Sequence, residues 1–384
     1  MRQKGPLFLW GRQPVFVNIA HNYETTPLNI QSPDNANLII FLIVLIVSFY
    51  SFKKKSASSD PLNKNQTDQL KGIAIVCVII GHIWVHVSKN SSAIILSGDA
   101  VALFFLLSGY GLTISLKNKS PHFKSFVLRR ARRVMIPYWI ATCLILTLDY
   151  LVLQRTYSFN TLMLTSLGVN ITVPAKQIDY VRWYITLLML WYALFFVAFS
   201  RITPQRRIAF LVGCALLIYL FDYYFMGFGW YQIFAFPAGC AFGFYYNKIS
   251  VLFQRSPRPF FLSAAGMLCY VLFFKIFLSP VANASLPSII YKLLMELISI
   301  IFCVAAIIFV AYAGLKKYQS SLLQFCGKIS YELFLIHGAF LVKYNPIMMH
   351  TTTLLFITEC FLFIVLMLIL SWLLQKFIRL VEAG

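Results

Sequence analysis

Two histidines lie inside long apolar segments, and they are the side chains best suited to chemistry at membrane depth. His82 belongs to the stretch "LKGIAIVCVIIGHIWVHV", residues 70–87, and Lys71 is the second residue of that stretch. At about 100° and ~1.5 Å per residue, this spacing predicts that Lys71 and His82 share one helical face, roughly 16 Å apart along the axis. A cation at the mouth with an imidazole above it suits a channel for an anionic cofactor. The alternative is a snorkelling lysine with a structural histidine.

The second histidine lies near the C-terminus, in "GKISYELFLIHGAFL". Ser330 and His337 are spaced to share one helical face, and Glu332 lies close to the cytosolic boundary. We expect His337 about 12 Å into its span, at a depth near that of His82. Two imidazoles at similar depth on separate helices predict a buried polar site. A hydrogen bond that only joins two helices is the alternative.

A basic segment, "SLKNKSPHFKSFVLRRARRVMIPYW", follows the third predicted span. Its lysines and arginines are explained either by topology and attraction to anionic lipid, at about 1 kcal/mol each, or by a phosphate-binding face. The span before it places Ser108 and Tyr110 toward the same side, where Gly109 can serve helix packing and Tyr110 an interfacial anchor. Further along, Asp179 and Arg182 predict an external vestibule or an interfacial ion pair.

The elements that carry these residues are predicted to be membrane-spanning helices. The 384-residue chain is 60% apolar and only 12% charged, and apolar runs of about 17–25 residues recur along it. We therefore predict an all-α polytopic membrane protein with about ten core transmembrane helices and one extra N-terminal anchor. The predicted spans are 36–52, 70–88, 93–116, 134–153, 179–200, 208–226, 228–247, 260–279, 290–314, 329–347 and 352–374.

The basic residues predict the orientation of these spans. The formal net charge is +21, and most of the 33 Lys and Arg residues fall in alternate short loops. The positive-inside rule places those loops and the C-terminus in the cytoplasm, and it accounts for the charge without nucleic acid. We expect an external tail at 1–35, an anchor helix with a cytosolic linker at 36–69, and the main transmembrane domain at 70–384. The eight cysteines are scattered singly, so no metal site is expected.

Four sequence elements, in the same order, resemble motifs of the acyltransferase-3 family of integral-membrane O-acyltransferases. Lys71 and His82 are similar to its Arg-x10-His pattern, and "FFLLSGYGL" resembles its Phe-Phe-x-x-Ser-Gly-Tyr/Phe element. "RRARRVMIPYW" is similar to its Arg-rich loop leading to Pro and Tyr, and "GKISYELFLIHG" resembles its Ser-Tyr-x-x-Tyr-Leu-x-His segment. The resemblance covers roughly residues 70–374.

The resemblance implies transfer of an acyl group, usually acetyl from cytosolic acetyl-CoA, to a carbohydrate hydroxyl at the outer face. His82 is then the leading catalytic residue, as general base or transient acyl carrier, and His337, the second catalytic candidate, supports it with Ser330 from the opposite wall. Lys71 stands where the family has arginine and lacks its bidentate fork. The remaining implied positions bind the donor, four at the CoA phosphates and two along the acyl path: Arg129, Arg130, Arg132, Arg133, Ser108 and Tyr110.

Two departures from the family pattern bear on the acceptor. The Glu-Glu-Gln-Phe-Tyr run that many members carry after the tryptophan matched by Trp183 is missing from "WYITLLML", and no SGNH-hydrolase domain follows. We therefore expect the standalone type, a multi-pass O-acetyltransferase of the bacterial inner membrane that modifies a cell-envelope polysaccharide, a lipopolysaccharide or a lipid-linked glycan. Its expected partners are acyl-CoA, that glycan and membrane lipids. The alternative is a polysaccharide or small-molecule exporter that uses the buried histidines.

Overall fold

The computed structural model describes residues 33–55, 60–88, 96–117, 121–172, 176, 178–226, 232–344 and 353–383, and these residues are almost entirely helical. The expected external tail lies outside the described residues up to position 32. Short π-helical or 3-10 turns extend several of the helices. The helices are α1 Pro33–Tyr50, α2 Lys64–Ser88, α3 Ser97–Leu116, α4 Phe123–Arg130, α5 Ile136–Leu153, α6 Phe159–Ser166, α7 Trp183–Arg201, α8 Arg207–Phe221, α9 Ala235–Arg255, α10 Pro257–Phe273, α11 Ser279–Ser285, α12 Ser288–Leu315, α13 Ser321–Lys328, α14 Ser330–Val342 and α15 Thr353–Ala383.

The architecture is that of an all-α polytopic membrane protein, as the sequence predicted. Within the described ranges, nine helices are long and apolar enough to cross a membrane, or up to ten if a bent pair is one span. The sequence predicted eleven spans, and the predicted span 228–247 accounts for the remaining difference. The described chain forms α9 there, but Asn247 and Lys248 interrupt its apolar sequence, so its composition does not mark it as a span.

Helix α13 lies unusually close to the first half of α2. A Cβ atom on Gly72 would collide with the backbone of α13, and one on Gly327 would collide with the backbone of α2. Glycine is required at both positions, because any other residue would add that atom at the point of closest approach. The close contact brings Lys71 and Lys328, the sequence neighbours of these glycines, into the lining of one cavity.

Helices α3 and α9 also approach through glycine. A Cβ atom on Gly109 would collide with the backbone of α9, and one on Gly239 would collide with the backbone of α3. The packing role predicted for Gly109 is therefore confirmed. Tyr110 takes part in the same contact, with its ring 5.2 Å from that of Phe242 and 5.3 Å from that of Tyr246.

The span predicted at 329–347 corresponds to α14, which continues a helix that the sequence did not predict, α13. Helices α13 and α14 meet at Ile329 with a bend of 73°. The start of α13 is capped by Ser320, whose hydroxyl accepts the N–H of Leu323 at 3.0 Å, the usual role of serine at a helix N-terminus. The break leaves Lys328 and Ser330, on either side of the bend, both lining the cavity described below.

A two-stranded antiparallel sheet ties the anchor helix to this broken helix. Strand β1, Phe52–Lys54, follows α1, and strand β2, Tyr318–Ser320, directly precedes α13. Phe52 lies opposite Ser320, and the hydroxyls of Ser51 and Ser320 share a hydrogen bond. The anchor is thus joined to the main bundle, and its assignment as a unit separate from residues 70–384 stays a prediction.

Buried charges toward the predicted external side are paired. Lys343 Nζ lies 2.7 Å from a carboxylate oxygen of Asp149, and Lys275 pairs with Asp99. The Glu296 carboxylate accepts two backbone N–H groups just before α9, at 2.8 and 3.2 Å. A buried charge without such a partner would be strongly destabilising, so these contacts join the helices that carry them.

Candidate active site

A cavity of about 280 Å³ opens at the end of the bundle where the positive-inside rule places the cytoplasm. Five parts of the fold enclose it: α2, α3, the junction of α4 and α5, α7, and the broken helix α13–α14. The residues that line it are Lys71, Phe104, Ser108, Arg130, Arg133, Val134, Tyr184, Leu188, Tyr192, Gly327, Lys328, Ser330, Tyr331, Glu332 and Phe334.

Cations dominate the cytosolic end of this cavity. Lys71, Arg130, Arg133 and Lys328 all line it, against a single carboxylate, Glu332. The sum of their charges favours a ligand that carries several negative charges, because opposite charges attract most strongly where protein limits solvent.

Two of these cations are held by neighbouring side chains. Lys71 Nζ lies 3.2 Å from Asp68 on the same helix, and its side chain remains 38% exposed. Arg130 places its guanidinium over the ring of Tyr192 at 5.4 Å, while its Nε is buried without a hydrogen-bond partner. A buried N–H that lacks an acceptor is costly, so Arg130 is prepared to bind an anionic oxygen.

Hydroxyl and aromatic groups line the middle of the cavity. Tyr184, Leu188 and Tyr192 recur every fourth residue along α7 and therefore form one stripe about 12 Å long. Ser108 on α3 faces the phenol groups of both Tyr184 and Tyr192. The cavity therefore changes from cationic to uncharged as it deepens.

Aromatic rings close the deep end. The rings of Tyr184 and Phe334 are 4.9 Å apart, and Phe105 packs behind Tyr184 at 4.5 Å. Phe334 also contacts the next ring beyond the cavity, that of His337, at 5.8 Å. Phe334 is thus the side chain that lies between the cavity and His337.

The two histidines form a contact pair behind this aromatic wall. The rings of His82 and His337 are 5.2 Å apart and tilted by 47°. His337 Nδ1 lies 3.0 Å from the carbonyl oxygens of both Leu333 and Phe334. Since carbonyls only accept, Nδ1 must carry the proton and Nε2 must carry a lone pair. This Nε2 is buried with no hydrogen-bond partner, which leaves it available as a base or nucleophile.

His82 is oriented by a tyrosine from the other side of the bundle. The Tyr180 hydroxyl lies 2.9 Å from His82 Nδ1, and this contact fixes which edge of the imidazole faces the remaining space. Tyr180 opens a 3-10 turn, Tyr180–Arg182, directly before α7. The turn therefore sets the position of the His82 ring.

An ion pair buried in the protein holds that turn. Asp179 accepts the backbone N–H of Val181 at 3.3 Å and lies 3.5 Å from Arg182 Nε. Arg182 also donates to the Thr142 hydroxyl at 2.6 Å. The ion pair was one of the two interpretations of Asp179 and Arg182 from the sequence, but the structure buries it inside the protein rather than at the interface.

The structure brings most of the sequence-predicted site residues together. Lys71, Ser108, Arg130, Arg133 and Ser330 share the cavity, and His82 and His337 meet just beyond it. Three positions lie apart from this group: Arg129 and Arg132 do not line the cavity, although they are as exposed as Arg133, and Tyr110 packs toward α9. The functional roles of all these residues remain predictions.

Sequence reasoning did not single out several residues that the structure places at the site, and four of them show what signal the sequence held. Lys328 belongs to the segment "GKISYELFLIHG", but its place in the cavity lining depends on the bend that follows it. Tyr184 and Tyr192 follow the every-fourth-residue pattern of one helical stripe, which was the available signal. Tyr180 gave no local signal, since its contact with His82 joins positions 98 residues apart.

Within the described part of the chain, no group of three or more His, Cys, Asp or Glu residues is arranged to hold a metal ion. A model of the acyltransferase-3 family, described as "Acyltransferase domain", matches residues 65–376. No curated protein and no solved structure matches the chain.

Proposed function

The chain belongs to the acyltransferase-3 family of membrane acyltransferases, and from that premise we propose that it moves an acetyl group from cytosolic acetyl-CoA to a hydroxyl of a cell-surface glycan. The acceptor is a polysaccharide, a lipopolysaccharide or a lipid-linked precursor exposed at the outer face. Acetyl-CoA supplies the activated acyl group as a thioester. The protein supplies a cavity for the donor, cations that bind its phosphates and a base for the acceptor hydroxyl.

One observation carries this proposal: the histidine pair lies directly behind a cavity whose outer end is cationic. An acyl-CoA molecule has the same order of parts, with phosphates at one end and a neutral acyl thioester at the other. If the phosphates bind near Arg130 and Arg133, the thioester points toward Phe334 and His337. Charge and shape therefore orient the donor for chemistry at the imidazoles.

The size of the cavity indicates that only part of the donor binds inside it. Its volume of about 280 Å³ is at the small end for a site that encloses a drug-sized ligand. A complete CoA is larger than a drug-sized ligand, so only its acyl-bearing arm fits inside. The nucleotide part stays at the cytosolic surface, within reach of the exposed arginines of "RRARR".

The chemistry needs one proton acceptor. The imidazole pair takes the proton of the acceptor hydroxyl, and the resulting oxygen attacks the thioester carbonyl. A C–O bond forms, the C–S bond breaks, and CoA leaves as a thiolate that recovers the proton from the imidazolium. Transient acylation of His82 would divide the transfer into two steps, with its imidazole as the nucleophile. Trapping an acylated protein after mixing with labelled acetyl-CoA distinguishes the two routes.

The test is transfer of labelled acetyl from acetyl-CoA to glycan in membranes that contain the full chain. The His82→Ala variant should insert normally and lose activity by about 10²–10⁴-fold. The matched control is His86→Ala, which removes the same residue type one turn further along α2 and should retain transfer. Full acetylation by the His82→Ala variant would contradict the proposal.

The same assay separates this function from that of an exporter. An exporter changes where the glycan is found and leaves its acetyl content unaltered. Surface glycan from cells with and without the gene should differ in acetyl content. If the two kinds of cell differ only in the amount of surface glycan and not in its acetyl content, the buried histidines serve transport instead.

A further inference from the structure

The aromatic wall at the deep end of the cavity has a role that the proposed function leaves open. Phe334 and Tyr184 close the cavity with their rings 4.9 Å apart, and both side chains are buried. We infer that this pair is an acyl-length stop that restricts the donor to two-carbon acyl groups. The inference rests on the proposed function, because it assumes that an acyl-CoA enters this cavity.

The first step is the direction in which the donor lies. The four cations are confined to the cytosolic end, so the phosphates of the donor are bound there and its acyl tip points inward. No charged side chain stands among the residues that close the deep end, where the rings of Tyr184 and Phe334 meet and Phe104 adds apolar surface. The last atoms of the acyl group therefore meet the aromatic rings.

The second step is that the wall cannot retreat easily. Tyr184 is backed by Phe105 at 4.5 Å, and Phe105 is fully buried. Phe334 is backed by His337 at 5.8 Å, whose ring is fixed by the two carbonyls that Nδ1 bonds. Close-packed interiors of this kind accommodate an added methylene only at a cost.

The third step concerns the reacting carbon. In an acetyl group the carbonyl carbon is one bond from the tip, so it lies against Phe334, next to the histidine pair. Every further methylene stands between the carbonyl and the wall and moves the carbonyl back toward the cytosol. Longer acyl groups therefore bind less well and place the thioester farther from His82 and His337. A single methylene in an apolar pocket changes selectivity by about 10–200-fold.

The experiment measures acyl-length selectivity with the full-length protein in lipid nanodiscs. Binding of labelled acetyl-CoA is competed with unlabelled acetyl-, propionyl-, butyryl- and hexanoyl-CoA, and transfer of each acyl group to membrane glycan is followed in parallel. For the wild type we expect affinity and transfer to fall by about 10-fold or more for each added methylene.

Shortening the wall should move this limit. Phe334→Leu should raise the preference for butyryl over acetyl by at least 10-fold while acetyl-CoA still binds, and Tyr184→Leu should act in the same direction. The matched control is Phe340→Leu, which changes the same residue type on α14 where the ring packs on Tyr344 outside the cavity lining. Its selectivity should equal that of the wild type.

The outcomes separate the two proposals. If the wild type binds acetyl- and butyryl-CoA equally, or if both wall variants bind acetyl-CoA with unchanged selectivity, the acyl-length stop is wrong and the donor assignment stands. If the folded wild type binds no acyl-CoA and transfers no acyl group, the proposed function itself is wrong.

Discussion

The two ends of the cavity differ in charge, in packing and in exposure. At the cytosolic end, Lys71 keeps a side chain that is 38% exposed, and three further cations surround the opening. At the deep end, Phe334 and His337 are buried, and the described lining there carries no charge. One end is built to attract an anion from water, and the other is built to exclude water.

This difference separates two tasks that the acyltransferase must perform. Charges near solvent interact at long range and attract an anion such as the proposed donor, but they are weakened by salt. A neutral imidazole in a dry environment can accept a proton at the moment of reaction, without a competing shell of water. Changes at the cytosolic end should therefore alter donor KM, and changes at the deep end should alter kcat.

The largest effect is expected from His337→Asn. The new side chain can still donate an N–H to the carbonyls that hold His337 Nδ1, but it has no nitrogen lone pair to replace Nε2. We expect kcat to fall by about 10²–10⁴-fold with donor KM nearly unchanged. Steady-state kinetics with purified protein checks this, and acetyl-CoA binding confirms the fold. A variant that loses donor affinity but keeps kcat would contradict the division between the two ends.

Removing the two cavity arginines should have the next largest effect. The double variant Arg130→Ala/Arg133→Ala deletes two charged hydrogen-bond donors, and we expect donor KM to rise by about 10–150-fold with little change in kcat. Raising the salt concentration should weaken donor binding by the wild type more than by this variant.

A matched control tests whether position or charge alone decides this result. Arg129→Ala/Arg132→Ala removes the same number of charges from the same segment, at exposed positions outside the cavity lining. We expect the change in log KM for the donor to be less than half of the change caused by Arg130→Ala/Arg133→Ala. Equal effects of the two double variants would show that the basic segment acts as a general charge and that the cavity does not select the donor.

A smaller effect at the deep end is expected from Tyr180→Phe. This variant removes only the hydroxyl that lies 2.9 Å from His82 Nδ1. Loss of a neutral hydrogen bond should lower kcat by about 2–12-fold. Because Tyr180 positions the imidazole and does not touch the donor, the pH profile of kcat should change while donor KM stays constant. A changed KM with an unchanged profile would place Tyr180 in donor binding instead.

The smallest effect is expected from Lys71→Arg, which restores the residue of the family pattern. Lys71 is partly exposed and already paired with Asp68 at 3.2 Å, so a change here is screened by solvent. The planar guanidinium can bind a phosphate in bidentate fashion, and we expect donor KM to fall by about 1.5–5-fold. A rise in KM, measured under the same conditions, would indicate that the pair with Asp68 positions α2 more than it binds donor.

The spans could be predicted from the sequence because membrane helices must satisfy their own backbone hydrogen bonds, so length and apolarity suffice. The placement of His82 and His337 at similar depth followed from helical spacing in the same way. The span at 329–347 was predicted without the helix that precedes it, because the formation of α13 and the bend at Ile329 depend on packing between α13 and α2. That packing is decided by Gly72 and Gly327, whose significance appears only when both helices are present.

The candidate site was predictable in its residue types and less so in its membership. Lys71 was found from charge and spacing, whereas the four arginines were assigned to the donor through the family resemblance. That resemblance could not distinguish Arg130 and Arg133, which line the cavity, from Arg129 and Arg132, which do not. Lys328 was missed for the converse reason, since its direction is set by the bend that follows it. Side-chain direction over one helical turn was therefore the missing information.

The pairing of β1 with β2 has a consequence for how the protein is made. Ser51 and Ser320 are 269 residues apart in the chain, and at ~5–20 residues per second the ribosome needs roughly 15–50 s to bridge that distance. During this interval α1, α2 and Lys71 are already in the membrane, while the helix that packs against Gly72 has not been synthesised. The cationic end of the cavity is therefore among the last parts of the protein to be completed, and a nascent chain lacks the complete cavity until most of it has been inserted.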